Sequence, residues 1–291
     1  MRLNRSLWLG LVAALCAGAA RSDTGVTILD RRPTLDDKAP IVYWHEAWSR
    51  PRPLHIFGLR IDLTAPDCEV ATFVADDVDG EGPGQSSLAK PLELAAKPGV
   101  LAAVNANAFM SLPDKEGKRN TEWTPGKPVD IVGWAMADRR QVSAPLLNYM
   151  SFWVDGHGSA HVGNLKESCE AVQAVAGFGA LLIDGEDRTG EDYVLHPRTS
   201  LGISGGRWLW LAVVDGRQPG YSEGMTTTEM AVLMEEFGCR DAINLDGGGS
   251  SVMLIDAGKG ALELVNKPSQ AGTRPIPVML GVRRRAAPAG N

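Results

Sequence analysis

The chain has 291 residues, of which 44% are hydrophobic and 22% charged, and its formal net charge is −6 at pH 7. The acidic balance argues against nucleic acid as the main partner. It also means that a phosphate-bearing ligand must meet local positive charge, because the protein has no global positive field. The length fits one large domain with a sizeable core.

The first 19 residues have the pattern of a secretory signal peptide. Arg2 and Arg5 precede an apolar stretch that is too short to span a bilayer, and small residues at 17–19 offer a cleavage site. Cleavage there removes two positive charges and no negative one, which takes the net charge from −6 to −8. A lipoprotein anchored through Cys16 is the alternative, and its flanking sequence fits less well. We expect an exported protein, periplasmic or secreted, with no integral membrane span.

Strand patterns dominate the rest of the chain. Residues 20–53 are polar and contain prolines, and we expect an irregular lead-in there. The alternation of apolar and polar residues from Leu54 to Leu63 predicts a strand. Further strands are expected at 68–74, 100–104, 129–142, 151–162, 180–183, 201–203, 208–214, 241–243, 252–255 and 278–282.

Two helices are predicted among these strands. A short one is expected from Ser86 to Lys97, and a clearer one begins with the capping box Thr226-x-x-Glu229. Many strands with few helices predict an α+β fold, with a mixed β-sheet core and a few flanking helices. We expect a single domain over residues 54–283, followed by a frayed tail over 284–291. The charged stretch 111–128 predicts a long, functional or mobile loop.

The cysteines and histidines do not predict a metal site. Cys68, Cys169 and Cys239 lack ligand spacing; two of them could pair in an oxidising compartment, or all three could be small buried side chains. His157 and His161 have a zinc-like spacing only on a helix, and the glycines around His157 disfavour a helix. We therefore expect no metal and no cofactor.

The run Asn244–Ser251 is the most informative segment of the chain. It reads Asn-Leu-Asp-Gly-Gly-Gly-Ser-Ser and lies between two predicted strands. Three glycines cost backbone entropy on folding, but they expose backbone amides that can surround an anion or a sugar hydroxyl. The carboxylate of Asp246 enters the loop and two hydroxyls leave it. This composition indicates an active-site loop.

The motifs around this run resemble those of the phosphodiester glycosidase family, in the same order, from Ser86 to Val282. The glycine run is the most specific of them. Residues 104–109 resemble an Asn-containing strand end of the family, although alanine and asparagine stand where the family usually has glycines. The other matching segments are the Arg-Thr-x-Gly element at 196–202, Asp-Gly-Arg at 214–217, Ser-x-Gly at 222–226 and the closing Arg274–Pro275.

The resemblance implies hydrolysis of a glycosyl phosphodiester at its anomeric carbon. The leaving phosphate is already a stable anion, so a general acid matters less than in ordinary glycoside hydrolysis. The reaction needs donors for the phosphate and a carboxylate near the anomeric carbon. Asp246 is the favoured nucleophile, base or oxocarbenium stabiliser. The remaining catalytic candidates are Glu223 and Asp215, as a second carboxylate, and His196, as an acid or base.

The resemblance also implies a set of substrate-binding residues. Arg198 is expected to hold the phosphate, since guanidinium binds phosphate oxygens bidentately. The other expected contacts to a glycan or sugar-phosphate substrate come from Asn105, Asn107, Thr199, Ser222, Asn244, Gly247, Gly248, Gly249 and Ser250.

Other interpretations are compatible with the same residues. Arg198 could pair with Asp215, Asp246 could cap the amides of its own loop, and Trp123 and Trp134 could stack on sugars or fill the core. The fold could cleave an ordinary glycosidic bond in an exopolysaccharide or cell-wall glycan, which would need two carboxylates. It could also bind a glycan or an anion without catalysis. A metal-dependent phosphodiesterase is disfavoured because the sequence lacks a His/Asp cluster.

Overall fold

The computed structural model describes residues 20–21, 25–34, 37–80 and 82–285. The predicted signal peptide and most of the predicted tail lie outside these residues. Within them, no helix combines the length and the apolar composition that a membrane crossing requires.

Strands are the main secondary structure of the described chain, and two α-helices lie among them. The helices are α1 (Pro91–Ala95) and α2 (Thr227–Glu236), and a 3₁₀ turn covers Gly248–Ser250. The strands are β1 (Ala20–Arg21), β2 (Thr27–Leu29), β3 (Ile41–Trp48), β4 (Leu54–Asp62), β5 (Cys68–Val74), β6 (Ser86–Ser87), β7 (Val100–Asn105), β8 (Phe109–Ser111), β9 (Pro128–Ile131), β10 (Ala135–Ala137), β11 (Arg140–Ser143), β12 (Met150–Val154), β13 (Ala160–Asn164), β14 (Gln173–Gly177), β15 (Gly179–Ile183), β16 (Glu186–Asp187), β17 (Arg198–Ser204), β18 (Trp208–Val214), β19 (Asp241–Asn244), β20 (Met253–Asp256), β21 (Leu262–Leu264) and β22 (Val278–Arg284).

A nine-stranded sheet forms the centre of the molecule. Its order is β1-β2-β3-β4-β18-β17-β19-β15-β16, and β2 and β3 are its parallel pair. The central strand β18 reads Trp-Leu-Trp-Leu-Ala-Val-Val and is buried along its whole length. A continuous apolar strand is expected where both faces of a sheet are covered. Here α2 packs on one face through Leu233 and Met234, and other sheets cover the opposite face.

Two five-stranded sheets and a small three-stranded sheet complete the fold. Their orders are β21-β20-β7-β22-β5, β11-β10-β14-β12-β13 and β6-β9-β8. The main core fills the space between the nine-stranded sheet and both five-stranded sheets. Leu211 and Ile243 enter it from the large sheet, and Val104, Leu280 and Phe152 enter it from the others. The helix α1 packs on the outer face of the β7 sheet.

The structure confirms the predicted strands at 68–74 and 208–214 and the capping box of α2. Thr226 Oγ1 accepts from the Glu229 amide, and the Glu229 carboxylate accepts from the Thr226 amide. The fold is richer in strands than the α+β prediction suggests. The prediction of an irregular lead-in over 20–53 was wrong, because β3 pairs with β4 over eight residues and extends the main sheet. The helix predicted over 86–97 is five residues long and begins at Pro91.

Candidate active site

The glycine loop crosses from one sheet to another. It leaves the nine-stranded sheet at Asn244, the end of β19, and enters the β7 sheet at Met253, the start of β20. Two hydrogen bonds hold the main chain of Asp246 at the end of β7. Its amide donates to the Ala106 carbonyl (2.9 Å), and its carbonyl accepts from Asn105 Nδ2 (2.6 Å). The carboxylate therefore lies at a junction between two rigid sheets.

Asn105 links both sheets to this loop. Its Oδ1 atom accepts from Thr199 Oγ1 (2.7 Å) on β17 and from the Val252 amide (3.1 Å). Both Asn105 and Thr199 are buried. The two residues were expected to bind substrate, whereas the structure engages these side-chain atoms in holding Asp246 between the sheets.

The three glycines allow other groups to approach the loop closely. A Cβ on Gly247 would lie 2.7 Å from the Pro197 carbonyl oxygen. On Gly248, which has φ +61°, it would lie 3.1 Å from Arg217 Nη1, and on Gly249 it would collide with Arg274 Nη2. Two guanidinium groups therefore lie directly against the loop, the backbone at Pro197 leaves no room for a side chain at Gly247, and the left-handed φ of Gly248 favours glycine.

Two of the glycine amides are used inside the protein. The Gly247 amide donates to Asp246 Oδ1 (2.9 Å), and the Gly248 amide donates to the Pro197 carbonyl (2.9 Å). The expected nest of three free amides is therefore absent from this described loop. The positive charge at the loop comes from the two arginine side chains.

Asp246 carries the most informative carboxylate of the site. Burial raises its pKa to about 6, against the opposing effects of the Ser250 hydroxyl, the Arg274 charge and the Gly247 amide. The residue is still partly exposed. A carboxylate that is enclosed by protein and yet accessible, with a shifted pKa, is characteristic of functional sites.

Arg274 is held beside this carboxylate. Its Nη1 lies 3.4 Å from Ser250 Oγ and its Nη2 lies 3.4 Å from Gln270 Oε1, while its Nε is buried without a partner. Burial lowers the pKa of Arg274; the charge of Asp246 opposes this effect and that of Arg217 adds to it. Among the described residues, no carboxylate lies within ion-pair distance of Arg274.

Arg217 is the second cation at the loop. It has φ +58°, a strained conformation for a residue with a side chain. Its guanidinium lies 3.1–3.3 Å from His196 Nδ1 and, in the described part of the chain, forms no ion pair with a carboxylate. Because Nδ1 accepts these contacts, we assign the neutral Nε2–H tautomer to His196. Burial, followed by the charges of Arg217 and Arg198, lowers the pKa of His196, which is consistent with a neutral ring.

Arg198, the expected phosphate ligand, is engaged elsewhere. Its Nη2 pairs with Asp192 (2.7 Å), and its Nε donates to the Met225 carbonyl (2.9 Å). Asp192 also accepts from the amide of Thr227 (2.8 Å), the first residue of α2. Arg198 therefore fastens the start of α2 to β17 and is not free to clamp a phosphate.

Asp215 and Ser222 are buried inside the protein. Asp215 accepts from Asn266 Nδ2 (2.8 Å), from the Lys267 amide (2.8 Å) and from Tyr221 Oη (3.1 Å). Burial is the main cause that raises its pKa. The Ser222 hydroxyl donates to the Asp215 carbonyl (2.6 Å). These partners make both residues part of the framework behind Arg217.

Three other predicted residues have distinct surroundings. Asn107 donates to the carbonyls of Val132 and Trp134 (both 3.0 Å), so its amide supports a neighbouring loop. Asn244 is buried, and its Oδ1 has no partner. Glu223 contributes backbone contacts to the hairpin, since its carbonyl accepts from the Arg217 amide (3.2 Å).

Several residues at this site could not be placed there from the sequence. Arg217 and Arg274 belong to recognised motifs, but nothing in the spacing indicated that both reach the glycine loop. Trp123 is partly buried and packs edge-to-face on Phe109, with ring centroids 5.0 Å apart. The Trp123 ring centroid lies 6.0 Å from the Arg274 guanidinium carbon. Trp134 is fully buried in the core.

The cysteines and potential metal ligands lie apart from this chemistry. Cys68, Cys169 and Cys239 are free, the first and last of them buried. Within the ranges that the structure describes, no group of three His, Cys, Asp or Glu side chains is arranged to hold a metal ion.

The fold and the site define a β-rich protein in which a carboxylate and two arginines without carboxylate partners meet at a glycine loop, an arrangement suited to an anionic ligand. The sequence model of the phosphodiester glycosidase family matches residues 99–283. The chain therefore belongs to the phosphodiester glycosidase family. No curated protein matches the chain significantly in sequence.

Several solved structures share the fold, among them two with the following likeness. One is the catalytic domain of zebrafish N-acetylglucosamine-1-phosphodiester α-N-acetylglucosaminidase, auto-inhibited by its pro-peptide. It is 20% identical, with a TM-score of 0.58 over 84% of this chain and 82% of that chain. The other is a Burkholderia pseudomallei protein named for inferred export. It is 15% identical, with a TM-score of 0.55 over 79% of this chain and 74% of that chain.

Proposed function

We propose that this chain is an exported hydrolase that cleaves a glycosyl phosphodiester at the anomeric carbon. The family assignment supports the reaction class. The main support for the proposal is that Arg217 and Arg274 converge on the glycine loop beside Asp246. Neither arginine is paired to a carboxylate in the described chain. Export is supported by the signal-like N-terminal sequence and by the name of the Burkholderia relative.

The two arginines would bind and stabilise the departing phosphate. Cleavage of the bond between C1 and the phosphate oxygen leaves an electron pair on that oxygen, and fixed guanidinium groups stabilise the resulting anion. Two cations also lower the energy of the diester in the ground state, so the substrate binds with its phosphate at Gly248 and Gly249. The leaving group needs no proton from the protein.

Asp246 would act at the sugar. Its carboxylate, ionised above about pH 6, stabilises the positive charge that develops at the anomeric carbon or forms a bond to it. Water then supplies the oxygen at C1, breaks any bond between Asp246 and C1, and releases its second proton to the phosphate monoester or to solvent. His196, which accepts from Arg217 through Nδ1, orients that arginine in this mechanism.

Hydrolysis of a substrate panel tests this proposal. The protein is incubated with UDP-N-acetylglucosamine, with other glycosyl phosphodiesters and with neutral aryl glycosides, and Asp246→Asn serves as the control. We expect release of free sugar from a phosphodiester and none in the variant. Turnover of aryl glycosides alone would assign ordinary glycan hydrolysis instead, and glycan binding without turnover of any substrate would assign a binding protein.

A further inference from the structure

One buried carboxylate connects all three segments that form the site. Asp215 directly follows the strand that leads into Arg217, and it is 1% exposed. Its Oδ1 accepts from Asn266 Nδ2 (2.8 Å), and its Oδ2 accepts from the Lys267 amide (2.8 Å). Residues 266–274 form the segment that ends at Arg274. The two arginine-bearing segments are therefore joined at Asp215.

Asn266 extends this connection to the glycine loop. Its Nδ2 also donates to the Ser251 carbonyl (3.2 Å), and its Oδ1 accepts from the Met253 amide (2.8 Å). Ser251 and Met253 are the residues through which the loop leaves Asp246 and joins β20. Asn266 is buried as well, so water does not compete for these hydrogen bonds.

We infer that Asp215, acting through Asn266, is a positioning residue that fixes Arg217 and Arg274 relative to Asp246. This inference rests on the proposed function of the site. Asp215 is too enclosed to touch substrate, and its carboxylate accepts three donors, from Asn266, Lys267 and Tyr221. Asparagine at position 215 has nearly the same shape as aspartate, but its NH2 group would face one of these three donors. The hydrogen bond to that donor would then be lost.

The variants Asp215→Asn and Asn266→Ser test this role. Asp62→Asn is the matched control. Asp62 is also buried and hydrogen-bonded, but it lies at the end of β4 that is farther from Asp215. The measurements are calorimetric titration with inorganic phosphate, kcat and KM on a glycosyl phosphodiester, the pH profile, and Tm. A misplacement of about 1 Å costs about 100-fold in rate, so we expect a fall of about that size in kcat/KM for both site variants.

The expected pattern separates positioning from general destabilisation. Both site variants should bind inorganic phosphate about tenfold more weakly than the control at a matched Tm. The acidic limb of the pH profile should be retained, because Asp246 still titrates.

Two results would overturn the inference. One is phosphate affinity and kcat/KM that match those of Asp62→Asn in both site variants. The other is loss of the acidic limb in Asp215→Asn, which would place that carboxylate in the reaction itself. A wild-type protein that binds phosphate but hydrolyses no substrate would contradict the proposed function alone, and the phosphate affinities of the variants would still decide the inference. A wild type without phosphate affinity would contradict both.

Discussion

Replacing Asp246 by asparagine should abolish turnover and stabilise the fold at neutral pH. Burial raises the pKa of this carboxyl from 3.8 to about 6, so the folded state binds more protons than the unfolded state between these values. Stability contributed by this group therefore falls as the pH rises through that window and stays low above it. About two pKa units correspond to at most about 3 kcal/mol at pH 7.5, an upper bound because the residue is partly exposed.

Asparagine has nearly the same shape and cannot ionise, so Asp246→Asn should gain most of this free energy at pH 7.5 and almost none at pH 3.5. For a domain of this size the gain corresponds to a Tm increase of roughly 5–10 °C. Urea denaturation followed by circular dichroism at both pH values measures it, with Asp184→Asn, an exposed aspartate, as the control. A variant that is less stable at pH 7.5, or whose stability change is the same at both pH values, would refute the reasoning.

Three further predictions concern the arginines and glycines. Gly249→Ala should lower kcat/KM for a glycosyl phosphodiester about 100-fold, because its methyl group would displace the Arg274 guanidinium. The control Gly190→Ala should retain wild-type kinetics, because Gly190 has open space around it. Equal kcat/KM values for the two variants would contradict this prediction. Arg198→Ala should lower the free energy of unfolding by about 2 kcal/mol in urea denaturation, because it leaves the partly buried carboxylate of Asp192 unpaired. Unchanged stability with a selective loss of activity on phosphate-bearing substrates would show that Arg198 binds phosphate. Below about pH 6, kcat/KM should fall about tenfold per pH unit as Asp246 is protonated. Arg274→Gln should move this acidic limb of the pH profile to higher pH, because it removes a charge that lowers the Asp246 pKa. An acidic limb at the same pH in the variant and the wild type would be inconsistent with that coupling.

The strands could be predicted where the local pattern is determined by burial. The run 208–214 is apolar at every position because both faces of its sheet are covered, and its bounds agree with the sequence. The strand β3 was missed because His45 and Glu46 interrupt its apolar pattern. Its hydrogen-bonding partner β4, and not its own composition, determines that it is a strand.

The site could be predicted in part. The position of Asp246 in a glycine loop was evident from the sequence, whereas the reason for the glycines was not. Local sequence suggested free amides, but the space beside Gly248 and Gly249 is occupied by Arg217 and Arg274, which come from distant segments. Only the tertiary fold brings these segments together.

The same limit explains the expectation for Arg198. The motif around it indicated a phosphate ligand, and the charge alone could not show which carboxylate it meets. The structure pairs it with Asp192, six residues earlier in the chain, at the start of α2. Asn266, which joins Asp215 to Ser251, had no sequence signal at all.

Hydrolysis in H₂¹⁸O locates the bond that breaks. The wild-type protein is incubated with a glycosyl phosphodiester in labelled water, and the released phosphate monoester is analysed by mass spectrometry, because its oxygens do not exchange with water under these conditions. Attack at the anomeric carbon, which Asp246 and the two arginines are arranged to promote, predicts a phosphate product without ¹⁸O. Incorporation of ¹⁸O into the phosphate would show cleavage of the phosphorus–oxygen bond and would contradict glycosidase chemistry at this site.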